Sequence, residues 1–128
     1  MPFTASEAEK ALESESRRLA RLLGLSHWDI AVALGRCEPD AMAEIQINEE
    51  LSYASITIDH FKHSSVKEML GSLRHEFLHI LISPMYMYVE VLAEANPEGV
   101  RLMPELWERL EESVILQLEK TDIGRSNP

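Results

Sequence analysis

His75-Glu76-Phe77-Leu78-His79 is a stretch whose residue types and spacing point directly to chemistry. Histidines four apart project from one face of a helix, so both imidazoles can reach one Zn²⁺. Glu76, one residue along, can point at a zinc-bound water. Zinc lowers the pKa of that water toward about 7 and polarises a carbonyl. A carboxylate beside it acts as general base and proton shuttle. Together these groups can hydrolyse an amide.

The motif fixes only three letters, so its weight comes from its helical context. Between Val66 and Ile82 the apolar residues Val66, Met69, Leu70, Leu73, Phe77, Ile80 and Leu81 fall on one stripe at about 100° per residue. His75 and His79 lie on the other side, beside Glu68, Gly71 and Ser72. That argues against core filling and leaves a solvated helix face as the competing reading.

Two histidines do not hold zinc firmly; a catalytic site has three protein ligands and a water. The extended metzincin pattern is absent, with Ile82 in place of its glycine and Met85 in place of its third histidine. No histidine follows His79, and His27, His60 and His63 all lie upstream. A third ligand from the downstream chain must therefore be a carboxylate. The last helix offers Glu105, Glu108, Glu111, Glu112 and Glu119. If Met103, Leu106, Trp107, Leu110, Val114 and Leu118 form its buried stripe, Glu111 sits on the flank of that stripe and is the expected ligand. Glu112 points nearly the other way and ranks second, ahead of Glu90 and Glu94; Asp122 lies beyond the helix.

Other residues invite a role. Tyr86 or Tyr88 could stabilise an oxyanion near the metal, although packing or a partner surface is the plainer reading; Met85 to Tyr88 could form that surface. His60 and His63 are expected in a solvated strand-to-helix loop, with support of a metal ligand as the alternative. Trp28 and Trp107 read as core anchors, and Cys37 as a small buried hydrophobe at a strand end.

These residues need elements to hold them. Thr4 with Glu7 forms a capping box for a helix from about Ala5 to Leu23 that stops at Gly24. Trp28–Leu34, Ala43–Asn48 and Tyr53–Asp59 alternate and predict two or three antiparallel strands. Ser64 or Ser65 caps the motif helix, which Ser83-Pro84 is expected to end. Met85–Ala95 reads as a short helix or partly helical crossing ended by Asn96-Pro97. Pro104 suits the first turn of a last helix to about Lys120, and residues 121–128 should fray. The fold class expected is α+β in a single domain spanning residues 1–128.

Composition narrows the function classes. The chain has 128 residues, 45% hydrophobic and 27% charged, and a net charge of −10. That charge argues against nucleic-acid binding, which draws on Lys and Arg. The basic cluster Arg17, Arg18 and Arg21 reads as complementing a helix dipole. The longest apolar run near the motif is too short to span a bilayer. Met1–Lys10 shows neither a basic nor an apolar signal region. The single cysteine excludes an internal disulfide and fits a reducing cytoplasm.

The helix, the alternating strands, HEFLH and a late glutamate-bearing helix together resemble a minimal zincin of the gluzincin type. The likeness is to the small single-domain minigluzincins and short phage or prophage metallopeptidases, and distantly to SprT-like and ImmA-like proteins. The resemblance implies a small zincin-like fold, His75 and His79 as zinc ligands, Glu76 as general base and a downstream glutamate, here Glu111, as third ligand. It also implies a sheet strand that pairs with an extended peptide or protein substrate. The absence of a downstream histidine departs from the SprT-like pattern. The expected activity is that of a zinc metallopeptidase. The competing expectation is a non-catalytic zincin-fold module that binds zinc and a partner, but such a site needs no Glu76 and would usually have four protein ligands.

Overall fold

Three amphipathic or apolar helical segments flank and follow three alternating strands. The computed structural model describes residues 3–95 and 103–120. Its elements are α1 (Ala5–Leu22), β1 (Asp29–Leu34), β2 (Ala43–Asn48), β3 (Tyr53–Ile58), a 3-10 turn (His60–Lys62), α2 (Val66–Ala95) and α3 (Met103–Glu119). Among the described residues the fold is mixed α+β, with three helices and one three-stranded sheet. The chain divides into two compact units, Met1–Phe77 and Leu78–Pro128, and the boundary falls inside α2. No helix among the described residues is long and apolar enough to cross a membrane.

In the first unit, α1 begins where Thr4 Oγ1 accepts the Glu7 N–H at 3.1 Å and ends just before Gly24, whose φ of +71° suits a residue without a Cβ. Its inner face buries Ala8, Leu12 and Leu19. Glu15 is buried on the same face. Its carboxylate accepts from Arg18 Nε at 2.7 Å and Nη2 at 3.0 Å, and from Arg74 Nη1 on α2 at 3.0 Å. The Arg18 hydrogen bonds hold the Glu15 carboxyl below its ordinary range; burial opposes this, and Arg74 adds to it. A carboxylate this deep is stable only with such partners.

The sheet order is β1-β3-β2. β2 and β3 form an antiparallel hairpin with Ile45 opposite Ile56, turned by Ser52 at φ 49° and by Asn48 Oδ1 accepting the Leu51 N–H at 3.1 Å. β1, however, pairs parallel to β3, with Val32 opposite Ile56. The all-antiparallel expectation is thus corrected to a mixed sheet. Side-chain alternation reports which face is buried but carries no information on strand direction. Ala54, Ile56 and Ile58 of the central strand are fully buried, and Met69, Leu73 and Phe77 of α2 complete this unit's apolar core. Gly35 closes β1 by donating its N–H to Ile58 O at 3.0 Å; a Cβ there would stand 2.9 Å from Thr57 Cγ2.

The second unit holds the rest of α2 and α3. The motif helix does not stop at Ser83-Pro84; it continues to Ala95 with Pro84 inside. Proline removes the N–H that the carbonyl four residues back would use. That carbonyl belongs to Ile80, and Ser83 Oγ donates to it at 3.0 Å. The helix survives its proline because the neighbouring hydroxyl replaces the missing donor. Leu78, Ile80, Ile82 and, on α3, Ile115 are buried. Val114 is 43% exposed, so the inward face of α3 is rotated by one residue from the expected stripe.

Candidate metal centre

The motif helix is anchored at its start by a polar loop in the first unit. Asp59 accepts the backbone N–H groups of Cys37 at 3.0 Å and Phe61 at 3.2 Å, and Lys62 Nζ stands 3.6 Å from it. The Cys37 N–H bond holds the Asp59 carboxyl below its ordinary range, burial opposes it, and the Phe61 N–H and Lys62 help. Lys62 also donates to the Ala41 carbonyl at 2.7 Å. His63 is buried, correcting the expectation of a solvated loop residue. Its Nδ1 lies 2.7 Å from Asp59 O and its Nε2 2.7 Å from Ser72 Oγ. A carbonyl only accepts, so Nδ1 donates to Asp59 O, and the Ser72 hydroxyl, which can donate or accept, meets Nε2. Ser65 Oγ accepts the Glu68 N–H at 3.1 Å and caps α2.

Beyond this anchor, α2 runs unbroken through the motif. His75 and His79 are half-buried and one turn apart, and Glu76 between them is buried. In the second unit, α3 brings two carboxylates to one imidazole. His79 Nδ1 lies 2.8 Å from Glu111 Oε2, and His79 Nε2 lies 3.1 Å from Glu112 Oε1. Glu111 is 18% exposed and Glu112 53%. One ligand atom from each of His75, His79 and Glu112 falls within 4.8 Å of the other two.

Glu111, expected as the third ligand, therefore meets the far nitrogen of His79, while Glu112, expected to face away, is the carboxylate grouped with both histidines. The buried Ile115 explains this. With Ile115 inward, residues three and four positions earlier share its face, and those are Glu112 and Glu111. Sequence periodicity missed the rotation because Val114 and Ile115 are both β-branched and apolar; either could define the stripe.

The donor set suits zinc. Ligand atoms about 2.0–2.2 Å from a tetrahedral ion stand roughly 3.3–3.6 Å apart; His79 Nε2 and Glu112 Oε1 are 3.1 Å apart, and the three ligand atoms lie within 4.8 Å of one another. If Nδ1 donates to Glu111, Nε2 presents its lone pair to another acceptor. Only a proton or a cation reconciles those two.

Among the other candidates, Cys37 is only partly buried; burial, with help from Glu44, raises its thiol pKa. Trp28 is half-buried, its ring 6.4 Å from that of His27. The side chains of Tyr86, Tyr88, Glu90, Glu94, Glu105 and Trp107, and all of Asp122 and the tail 121–128, lie outside the described residues.

Comparison with models of known families, with curated proteins and with solved structures gave no match.

Proposed function

We propose that this chain is a zinc-dependent metallopeptidase. The observation that carries the reading is the arrangement about His79, with Glu111 at Nδ1, Glu112 at Nε2 and His75 one turn back on the same helix. In this reading His75, His79 and Glu112 hold the ion. Glu111 fixes the His79 tautomer by accepting its Nδ1–H, which turns Nε2 toward the metal. Zinc, when bound, polarises the scissile carbonyl and acidifies water. Glu76 is the general base: its carboxylate takes a proton from the attacking water and delivers it to the leaving amine nitrogen. Burial of Glu76 supports this role, because a carboxylate away from bulk water is held in one orientation.

The test has two parts. Purified wild type is expected to contain one zinc by elemental mass spectrometry, and a His75→Ala, His79→Ala variant none; equal content in both removes the metal site. Against a peptide library, Glu76→Gln is expected to keep zinc and lose cleavage by about 10²–10⁴. Cleavage unchanged in that variant removes Glu76 as base, and no cleavage by zinc-loaded wild type removes the peptidase reading.

A further inference from the structure

The open edge of the sheet beside α1 has no part in the chemistry above. β1 has one sheet neighbour, β3. The Asp29 and Gly35 N–H groups turn toward β3, donating to Ser52 O and Ile58 O. With a strand period of two, the N–H groups of Ile30, Val32 and Leu34 point to the opposite edge. No strand lies there among the described residues. Natural edge strands are shielded by charge, proline or a bulge. β1 carries only Asp29 at its start, with Ala31 and Ala33 along its exposed side. The other edge strand, β2, presents Glu44, Gln46 and Asn48 on the matching side.

Beside β1 runs a groove of about 550 Å³ walled by α1 and the strand. Its apolar floor includes Leu12, Ile30, Val32 and Leu34, and its rim carries Glu9 and Arg17. The three strand residues are only half-buried, although they lie on the sheet's core face. An unshielded edge above an incompletely covered apolar floor is a surface shaped for another strand.

We propose that a second copy of this chain occupies it, with the two β1 strands pairing antiparallel about a two-fold axis. The charge pattern of α1 selects this occupant. Its first half carries Glu7, Glu9 and Glu13 against one base, Lys10, and its second carries Arg17, Arg18 and Arg21 against one acid, the buried Glu15. A two-fold axis that reverses β1 also reverses the helix alongside it, so each acidic half meets a basic half. Glu9 of one copy then faces Arg17 of the other, and two-fold symmetry makes this contact twice. An unrelated extended segment would use the edge and the floor but would have no reason to match this gradient. Arg17 pairs with Glu13 within the chain; both side chains are exposed, so that pair costs little to exchange.

The experiment is sedimentation velocity on the purified full chain over a wide concentration range, with and without chelator, since the surface contains no proposed zinc ligand. Wild type is expected to sediment as a concentration-dependent dimer in both conditions. Glu9→Arg and Arg17→Glu each set like charges together twice and should weaken self-association by about tenfold or more. The double swap Glu9→Arg, Arg17→Glu should restore it. Ala31→Lys, which places a charge on the edge strand itself, should leave monomer. A wild-type monomer at every concentration overturns the proposal. So does a dimer indifferent to the single reversals or to Ala31→Lys, or one that the double swap fails to restore.

Discussion

An imidazole that meets a carboxylate at each nitrogen is held in place whatever sits between them, and His79 is such a ring. The two carboxylates differ in what they must supply. Glu111 need only accept a hydrogen bond, which an amide oxygen also does; Glu112 as a ligand must bring charge. Glu111→Gln should therefore keep most of the zinc affinity, while Glu111→Ala should lose about 10–100-fold. Glu112→Gln and Glu112→Ala should both lose more than Glu111→Ala. Competition titration against a chelator reads the series. A larger loss at Glu111→Gln than at Glu112→Gln would exchange the two roles. The His75–His79 pair was legible from spacing because one helix fixes it. Which carboxylate approaches His79 Nε2 was not, since one residue on a helix is a rotation of about 100°, and Ile115 rather than Val114 is the buried residue of that pair.

At the scale of elements, α2 rests on a substitution of donors. If Ser83 Oγ replaces the N–H that Pro84 lacks, Ser83→Ala should destabilise by about 1–3 kcal/mol by leaving the Ile80 carbonyl unsatisfied. In a Pro84→Ala background, the backbone N–H returns and the same change should cost clearly less. Chemical denaturation of the four proteins closes the cycle, and an equal cost in both backgrounds would refute the replacement. The same element shows why local signals failed there. Ser-Pro ordinarily reads as a helix stop, whereas here α2 continues past it with Ser83 Oγ donating to the Ile80 carbonyl at 3.0 Å. α1 was fully legible because its start and stop are local: a threonine cap and a glycine of positive φ. The parallel pairing of β1 with β3 was not legible, because direction is set by where the chain returns.

For the molecule as a whole, acid and metal are the conditions to vary. Glu15, with its carboxyl held below the ordinary 4.5 by Arg18 first and Arg74 next, stabilises the fold above the unfolded carboxylate's pKa. That contribution fades as pH falls through the lower folded value. The stability gap between wild type and Glu15→Gln should therefore be widest near neutrality and narrow below about pH 4.5. Denaturant titrations across pH measure it, and a gap independent of pH would deny Glu15 this role. Zinc should act as a stabilising ligand: at a free concentration of a hundred times Kd it adds about 2.7 kcal/mol. Chelation should lower the melting temperature of wild type and leave a His75→Ala, His79→Ala variant unmoved; equal shifts in the two would place the metal elsewhere.

The contact between Gly35 and Thr57 bears on which sequences can carry this sheet. A methyl group at 35 would press on Thr57 Cγ2 at 2.9 Å, and a threonine held in a strand has few rotamers to yield with. Among natural variants of this chain, position 35 should remain glycine wherever 57 is β-branched. Alanine should enter at 35 only in company with a residue at 57 that lacks the second branch, such as serine or alanine, so the two positions should drift together.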